Sequence, residues 1–346
     1  MEKTFALRSI STNASSRPWT KGKLQPKKDL ITKLEKSTEK YVNKNTKYRN
    51  CPSFSIKVLK IPTITSKSWV VYDSTLGNKL FGKKIDENRE VASLTKIMTF
   101  YTVLKYSQDN KIDFKNSMIT ISKEASKING TRAELKQGDK LSVWDMLFAM
   151  MLPSGNDAAL ALAQYFGKLI FFNGQIVLDA SKDKDIDFVS CFVSQMNINA
   201  SILGLTNTHF NNPHGLSDEN NKSTAVDIAL LSSYVMKEPI FRQVVNSKYH
   251  SCVGFNVSHK LKHYEWKNTN LLLKEGFNGI KTGITPNAGP CLSCSILLDK
   301  RLIIIVLLDA ESMEKRWEEA KSLISLVEKS KINFNENKEN IPPRNI

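Results

Sequence analysis

Three strand-like segments near the carboxyl end place the strongest constraint on how this chain folds. They follow one another with only short turns between them and are Gly279 to Gly283, Cys291 to Leu298 and Leu302 to Leu308. Strands joined by such short turns pair as antiparallel neighbours. Near the amino end, Phe54 to Leu59 and Trp69 to Tyr72 are rich in β-branched and aromatic residues, and a turn follows at 74–78. Two short strands or a hairpin are therefore predicted there.

The middle of the sequence has helical periodicity instead. Apolar residues recur at helical spacing in segments that start near Ser93, Val143, Ala158, Phe188 and Thr224. A further helix is predicted from about Met313 to Val327. Strands at both ends with helices between them predict an α/β fold, in which the N- and C-terminal segments share one antiparallel sheet and the helical middle packs on it.

Positive charge is concentrated at the amino end of the 346-residue chain. The formal charge is +16, and residues 1–50 hold thirteen Lys and Arg against four Asp and Glu. The composition predicts a basic, disordered tail over 1–52, one folded domain over 53–330 with an insert at 168–186, and a polar C-terminal tail over 331–346. A solvated tail is favoured over one that binds nucleic acid or an anionic membrane, because its basic residues are not densely clustered.

The cysteines do not indicate a disulfide framework. Cys51, Cys191, Cys252, Cys291 and Cys294 are scattered and odd in number, which favours reduced thiols. Cys291 and Cys294 have the spacing of a zinc knuckle but no second ligand pair beside them, so no metal and no other cofactor is predicted. The first thirty residues hold no apolar run of signal-peptide length, and the apolar stretch 302–308 is too short to cross a bilayer. The expectation is a soluble, cytoplasmic protein without a transmembrane segment.

A serine and a lysine three residues apart stand at the start of the first predicted helix. In Ser93-Leu94-Thr95-Lys96 this spacing puts the hydroxyl and the amine on one helix face. A lysine takes a proton from serine only if its pKa falls, which burial and a neighbouring cation both promote. The spacing alone is weak evidence, because it is shared by Ser37/Lys40, Ser181/Lys184 and Ser312/Lys315. Ser93 is distinguished by the apolar helix after it and by two further motifs.

Those two motifs supply a second hydroxyl, an amide and a second amine. Ser154-Gly155-Asn156 lies in a break between two predicted helices, with Asn156 as a candidate N-cap, and Lys281-Thr282-Gly283 lies on a strand. Gly283 leaves room for a substrate backbone along the strand edge. A motif set of this kind, with Asp in the middle of the second motif, occurs in class A β-lactamases and penicillin-binding proteins. Here that middle residue is Gly155.

Four stretches resemble the S11 family of serine D-Ala-D-Ala carboxypeptidases, the low-molecular-mass penicillin-binding proteins. They are Val91 to Thr99, Leu152 to Ala159, Thr208 to Leu216 and Gly279 to Leu292. The resemblance covers about residues 69–327 and implies the DD-peptidase/β-lactamase-like fold. It also implies a peptide substrate ending in D-Ala-D-Ala or an analogue, and β-lactams as covalent inhibitors.

The resemblance also implies roles for the motif residues. Ser93 would be the acylated nucleophile and Lys96 its general base, Ser154 would pass a proton to the leaving amine, and Asn156 would hold the substrate amide. The backbone N–H groups of Ser93 and Ile284 would form the oxyanion hole.

The remaining implied roles concern positive charge near the substrate. Lys281 would help to lower the pKa of Lys96, and Thr282 would contact the substrate carboxylate beside Gly283. Arg316 is a candidate partner for the terminal carboxylate, although a surface role explains it equally well. For His214, a structural role in holding its loop is favoured over catalysis.

Other functions remain open on the sequence alone. A β-lactamase is disfavoured, because class A enzymes use a glutamate after the second motif and residues 157–218 contain no Glu. A repurposed serine peptidase or esterase would keep the motifs and change the rim of the site, as the insert 168–186 suggests. An inactive scaffold whose basic tail binds a partner is the non-enzymatic alternative, and the complete set of motif residues argues against it.

Overall fold

A five-stranded antiparallel sheet joins the two ends of the described chain. The computed structural model describes residues 61–174 and 187–339, with side chains up to Ser330. The predicted tail 1–52, the strand at 54–59 and most of the insert lie outside these residues. In chain order the strands are β1 Ser68–Asp73, β2 Asn78–Lys83, β3 Arg89–Glu90, β4 Met118–Thr120, β5 Lys140–Ser142, β6 Lys222–Ser223, β7 Tyr249–Phe255, β8 Leu261–Lys267, β9 Asn278–Thr285, β10 Gly289–Leu298 and β11 Arg301–Leu308. The helices are α1 Thr95–Asp109, α2 Lys123–Lys127, α3 Val143–Met151, α4 Asn156–Phe172, α5 Phe188–Ile202, α6 Ala225–Val235, α7 Pro239–Asn246 and α8 Lys315–Glu339.

The order of strands in this sheet confirms the predicted architecture. The order is β2-β1-β11-β10-β9, and β1 pairs antiparallel with β11, with Ser68 opposite Leu308 and Asp73 opposite Ile303. The N- and C-terminal segments therefore share one sheet. Strand β9, which carries the Lys281-Thr282-Gly283 motif, lies at its edge.

Strand β11 is buried because each of its two faces packs against a hydrophobic core. Ile304 and Val306 pack into the core shared with the helical middle, whereas Ile303 and Ile305 pack with apolar side chains of α8. Successive side chains of a strand point to opposite faces, so a strand covered on both sides has an uninterrupted apolar sequence. This is why the segment gave a strong strand signal.

Helix α1 is packed on more than one side within the helical middle. Ile97, Met98, Phe100 and Val103 are all fully buried, and the Phe100 ring meets the Phe241 ring of α7 edge-to-face at 4.8 Å between centroids. A helix surrounded in this way has little freedom to shift, because protein interiors are close-packed. The first turn of α1, where the catalytic candidates lie, is therefore held firmly.

A second sheet, of strand order β4-β5-β7-β8, lies outside the sequence-based predictions. Its main part is the β7–β8 hairpin, in which Tyr249 is opposite Lys267 and Phe255 is opposite Leu261. These strands mix His, Ser, Lys and Gly with few β-branched residues, so their sequence carries little strand signal. Only alternate positions of β8 face inwards, where Tyr264 and Trp266 are buried.

Two helices are longer than their sequence patterns indicate. Helix α4 extends to Phe172 with Ile170 fully buried, so the start of the predicted insert 168–186 continues this helix. Helix α8 continues to Glu339, beyond its predicted end near Val327 and into the segment predicted as a polar tail. The apolar pattern ends near Val327, but no Gly or Pro follows until Pro342, and Lys and Glu have high helix propensity. None of the described helices combines the length and the apolar character needed to cross a bilayer.

Candidate active site

Ser93 lies on a tight turn between the sheet edge and a loop. The turn is the 3₁₀ segment Ala92–Leu94, which leads directly into α1. Ala92 has a φ of +48°, which L-residues rarely adopt and which is often found at functional sites. Two glycines make room for this turn: a Cβ on Gly283 would lie 3.0 Å from the Ser93 nitrogen, and one on Gly215 would lie 2.0 Å from the Ala92 oxygen. The Ser93 side chain remains partly exposed.

The fully buried Lys96 amine is held by three hydrogen bonds. It donates to Ser93 Oγ at 2.9 Å, to Asn156 Oδ1 at 2.7 Å and to the backbone oxygen of His214 at 2.6 Å. Asn156 Oδ1 and the His214 backbone oxygen can only accept hydrogen bonds. The Lys96 amine therefore donates an N–H to each of them in both its protonated and its neutral form. When Lys96 is neutral, its two N–H groups serve those acceptors and its lone pair faces the Ser93 hydroxyl. The geometry is that of a base aimed at a nucleophile.

The electrostatic surroundings favour the neutral form of this amine. Burial lowers the pKa of Lys96 well below its ordinary value, and the positive charge of Lys281 lowers it further, whereas Asp157 acts in the opposite direction. The pKa of Lys281 itself is lowered to about 7 by burial and by the charge of Arg316. Desolvation and like-charge repulsion both disfavour an ammonium. The charge of Arg316 thus weakens the hold of Lys281 on its proton, and the charge of Lys281 weakens that of Lys96.

The loop between α3 and α4 brings Ser154 and Asn156 to the same place. Ser154 has a φ of +66°, and its backbone oxygen accepts a hydrogen bond from Thr131 Oγ1 at 2.8 Å. The Asn156 amide nitrogen donates to the Asn129 oxygen at 2.8 Å, which directs the amide oxygen towards Lys96. The N-cap of α4 is Gly155, so the predicted capping role of Asn156 is wrong. Its side chain is already engaged by the amine and by Asn129.

Asp157, which the sequence motifs did not indicate, stabilises this loop through hydrogen bonds to backbone nitrogens. Its two carboxylate oxygens accept hydrogen bonds from the backbone nitrogens of Ala133, Leu135 and Ala158 at 2.9 to 3.1 Å. Burial raises the pKa of Asp157, and these backbone donors oppose that rise. An acidic residue in the first turn of a helix was the sequence signal available, because negative charge is favoured there.

We expect Asp157→Asn to lower the free energy of unfolding by about 1–3 kcal/mol, because an amide presents a donor where a backbone N–H needs an acceptor. Urea unfolding followed by circular dichroism measures this loss. The exposed Asp86 provides a control, since Asp86→Asn should change stability by no more than about 0.5 kcal/mol. Equal effects of the two substitutions would contradict a supporting role for Asp157.

Strand β9 contributes the third motif. Lys281 is buried and donates from Nζ to the Thr282 backbone oxygen at 2.9 Å. Thr282 Oγ1 lies 3.0 Å from Thr269 Oγ1, so a second threonine, which sequence analysis missed, meets the motif hydroxyl. Ile284 is 49% exposed at the strand edge.

Arg316 is not a surface residue. It is 4% exposed, and its Nη1 donates to the backbone oxygens of Gly283 and Cys291, each at 3.2 Å. Its guanidinium lies over the Trp317 ring at 4.5 Å from the centroid. Its Nε has no hydrogen-bond partner within the described part of the chain. The structure therefore corrects the surface interpretation and leaves a buried cation with donor capacity beside β9.

These groups surround one cavity of about 380 Å³. Six of the nine predicted site residues line it directly, and they are Ser93, Ser154, Thr282, Gly283, Ile284 and Arg316. Lys96, Asn156 and Lys281 lie behind them and act through the hydrogen bonds and charges described above. Segments from the start of α1, the α3–α4 loop and β9 therefore converge as the sequence predicted.

His214 and the paired cysteines have surroundings that fit structural roles. His214 Nδ1 accepts from the Leu216 backbone nitrogen at 3.2 Å, and burial together with Lys96 lowers its pKa to about 3, so the ring is neutral. Cys291 packs into the core on one face of the sheet and Cys294 into the core on the other. Because they point to opposite faces, these two thiols do not form a shared metal site.

The site combines a serine hydroxyl with a buried lysine of lowered pKa, and a second serine and a second lysine lie nearby. This arrangement is typical of serine acyl-transfer enzymes. The family model of the D-alanyl-D-alanine carboxypeptidases, peptidase S11, matches residues 55–168 and 189–312. The chain belongs to this family of serine peptidases. The stretch that the family model leaves unmatched overlaps the predicted insert 168–186.

Relatives and solved structures agree with this assignment. The D-alanyl-D-alanine carboxypeptidase of Streptomyces sp. strain K15 is 33% identical over 271 residues, which cover 76% of this chain and 87% of that protein. D-alanyl-D-alanine carboxypeptidase DacD of Escherichia coli K12 is 32% identical over 76% of this chain but only 63% of its own length. Among the solved structures, the Streptomyces K15 DD-transpeptidase is similar at a TM-score of 0.69 and 32% identity, covering 77% of this chain and 98% of that one.

DacD from Francisella tularensis is similar at a TM-score of 0.68 and 26% identity, covering 80% of this chain and 73% of that one. The predicted family and fold class are thus confirmed. This chain spans less than two thirds of the length of the Escherichia coli relative and of DacF of Bacillus subtilis, of which it covers 59%.

Proposed function

We propose that this chain hydrolyses the terminal peptide bond of peptides ending in D-Ala-D-Ala, through an acyl-enzyme formed on Ser93. The observation that carries the proposal is the Lys96 amine, which lies 2.9 Å from Ser93 Oγ and is held by two further acceptors. A neutral lysine fixed in this way takes the hydroxyl proton as the serine attacks. Membership of the D-alanyl-D-alanine carboxypeptidase family supports the substrate class.

The reaction divides into acylation and deacylation. Ser93 Oγ bonds to the carbonyl carbon of the penultimate residue while Lys96 takes the proton, and the backbone N–H groups of Ser93 and Ile284 stabilise the oxyanion. The C–N bond then breaks, and Ser154 passes the proton to the departing amine of D-alanine. Water attacks the resulting ester with Lys96 again as base, and the proton returns to Ser93 Oγ as the shortened peptide leaves.

The free edge of β9 supports binding of an extended peptide. Among the described residues, β9 pairs with β10 alone, so a substrate backbone can add to its other side as a further strand. Gly283 lies in this strand, and its lack of a Cβ lets the Ser93 turn pack closely against β9. The carboxylate of the terminal D-alanine would then reach Thr282 Oγ1 and Arg316, where the surrounding positive charge compensates for its desolvation.

We expect β-lactams to acylate Ser93, and we expect the resulting acyl-enzyme to hydrolyse slowly. The acylation uses the groups that act on the peptide, whereas rapid hydrolysis of a β-lactam ester in class A enzymes depends on a glutamate after the second motif. Residues 157–218 contain no Glu. We therefore infer inhibition by β-lactams, with little turnover.

The proposal is tested by incubating the protein with diacetyl-Lys-D-Ala-D-Ala and measuring the release of D-alanine. The same peptide ending in L-Ala is the stereochemical control. A fluorescent penicillin, followed by peptide mass mapping, locates the acylated residue. Because one similar structure is a DD-transpeptidase, a parallel reaction with added glycine shows whether water or an amine accepts the acyl group.

Each outcome supports or overturns the proposal. Release of D-alanine from the D-Ala peptide alone, with the penicillin adduct on Ser93, supports it. Rapid nitrocefin hydrolysis would indicate a β-lactamase instead, and hydrolysis of simple esters without peptide cleavage would indicate a repurposed esterase. A folded protein that forms no adduct even at high penicillin concentration would favour the inactive scaffold.

Replacing Lys281 should move the pH dependence of acylation. Its charge lowers the pKa of Lys96, so in Lys281→Met the pKa of Lys96 rises and the base becomes neutral only at higher pH. The acidic limb of the acylation rate, measured by stopped-flow penicillin binding at saturating probe, should therefore shift to higher pH. Lys274→Met replaces an exposed lysine and should not change the pH dependence of acylation. An unshifted limb in Lys281→Met would remove Lys281 from the control of the base.

A further inference from the structure

Three side chains of different ligand types meet between α3 and the second sheet, away from the cavity described above. Asp145 lies in the first turn of α3, and His250 and Cys252 lie two residues apart on β7. Positions i and i+2 of a strand share one face, so the imidazole and the thiol point the same way. One ligand atom from each of the three residues lies within 4.8 Å of the other two.

The neighbours of these side chains fix their orientation. Asp145 Oδ1 is 2.8 Å from His250 Nε2, and Asp145 Oδ2 accepts a hydrogen bond from Ser142 Oγ at 2.5 Å. The His250 ring stacks on the Phe148 ring with 3.7 Å between centroids and 12° between planes. A metal ligand whose rotamer is already set by its neighbours loses little freedom when an ion binds.

The site is also reachable from solvent. The side chains of Asp145 and His250 are each 16% exposed, and Cys252 is half-buried. An ion can therefore enter without unfolding of the sheet. The Phe148 and Trp266 rings lie nearly parallel to the imidazole, with 3.7 Å and 6.1 Å between centroids.

We propose that Asp145, His250 and Cys252 bind a zinc ion. Thiolate, imidazole and carboxylate are the three ligand types that proteins offer to Zn²⁺, and three protein ligands leave the fourth tetrahedral position to water. One thiolate and one carboxylate balance the charge of the ion, so the half-buried complex is neutral.

Binding requires a defined change of protonation and a small movement. The Cys252 thiol releases its proton to solvent, and His250 carries its proton on Nδ1, so that Nε2 offers a lone pair. Zinc–nitrogen and zinc–oxygen bonds of about 2.0–2.1 Å in a tetrahedron separate the two ligand atoms by about 3.3 Å. The present 2.8 Å between Asp145 Oδ1 and His250 Nε2 must therefore widen by about half an ångström. The Cys252 sulfur, which now lies within 4.8 Å of both atoms, must lie about 3.5 Å from each of them in the same tetrahedron.

A zinc ion here would tie the β7–β8 hairpin to the start of α3. Helix α3 leads into the loop that carries Ser154, but none of the three ligands lines the catalytic cavity. The ion is therefore a structural brace and takes no part in acyl transfer.

Cobalt and zinc binding by the untagged full-length protein test the proposal. Co²⁺ should bind at one equivalent and give the near-ultraviolet charge-transfer band of a thiolate ligand, and Zn²⁺ should displace it. Cys252→Ser should abolish the band, and His250→Ala should weaken zinc affinity on the order of 10- to 100-fold or more. Zinc should raise the Tm of the wild type but not that of Cys252→Ser.

Two matched variants separate this site from other thiols and histidines. Cys191→Ser removes another free cysteine, and His263→Ala removes an exposed histidine of the neighbouring strand; both should keep the band and the zinc affinity. Penicillin labelling of Ser93 should be unchanged in Cys252→Ser, which keeps this result independent of the proposed catalytic function. Failure of the wild type to bind cobalt, or an undiminished band in Cys252→Ser, would show that the three side chains form only a hydrogen-bonded network.

Discussion

Ser93→Ala is expected to abolish covalent labelling by penicillin and to slow D-alanine release on the order of 10⁴- to 10⁶-fold, as removal of a serine nucleophile does in other hydrolases. The substitution removes the atom that bonds to the substrate carbonyl. Thr282, Arg316 and the β9 edge remain, so peptide binding should persist while turnover is lost. Intact-mass measurement after penicillin treatment and a D-alanine release assay measure the two effects.

The chain offers a matched control in Ser312, which also precedes a lysine by three residues. There the lysine amine pairs with Glu318 at 2.9 Å, and Ser312 Oγ accepts from the Lys315 backbone nitrogen at 3.1 Å. Ser312→Ala should cost about 1 kcal/mol of stability through loss of this hydrogen bond and leave labelling intact. A full-strength adduct in folded Ser93→Ala would identify a different nucleophile.

Lys96→Arg is expected to slow acylation by about 10²- to 10⁴-fold at neutral pH, the usual contribution of a general base. The guanidinium is positively charged and stays protonated in proteins, so it does not accept the Ser93 proton. Lys96→Ala should lose a similar factor, since it too lacks a base. Stopped-flow measurement of penicillin acylation gives the rates directly.

A conservative change on the same helix provides the comparison. Lys105 is exposed and pairs with Asp109 at 2.6 Å, and Lys105→Arg should leave acylation unchanged. The decisive result is the ranking of the two arginine variants. Wild-type acylation in Lys96→Arg would mean that the lysine acts only through its charge, and the proposed proton transfer would then be wrong.

The architecture of the larger sheet was predictable because its strands have strong local signals. Strand β11 is apolar from Leu302 to Leu308 because both of its faces are covered, and the short turns before and after β10 fix antiparallel neighbours. The second sheet was not predictable in this way. The β7–β8 hairpin is only partly buried and mixes polar with aromatic residues, so its pairing depends on contacts with α3 and the loop 131–135 that no local pattern reveals.

The residues of the candidate site likewise differ in whether a local sequence pattern reveals them. Ser93, Lys96, Ser154 and Lys281 belong to short motifs whose chemistry is visible in sequence, and their convergence follows from the fold. Thr269 was missed because it belongs to no motif, although it lines the cavity and contacts Thr282. The orientation of Asn156 likewise depends on Asn129, a contact set by loop packing and not by spacing.

The pairing of β1 with β11 has a consequence for how the protein is made. Asp73 and its partner Ile303 are 230 positions apart in the sequence, and ribosomes add about 5–20 residues each second. The amino-terminal hairpin therefore waits on the order of 10–50 s for the strand that completes its sheet. During that interval the apolar side chains of β1 depend on the emerging helices or on chaperones for cover, and a messenger RNA truncated before β11 yields a chain that retains an open, aggregation-prone strand edge.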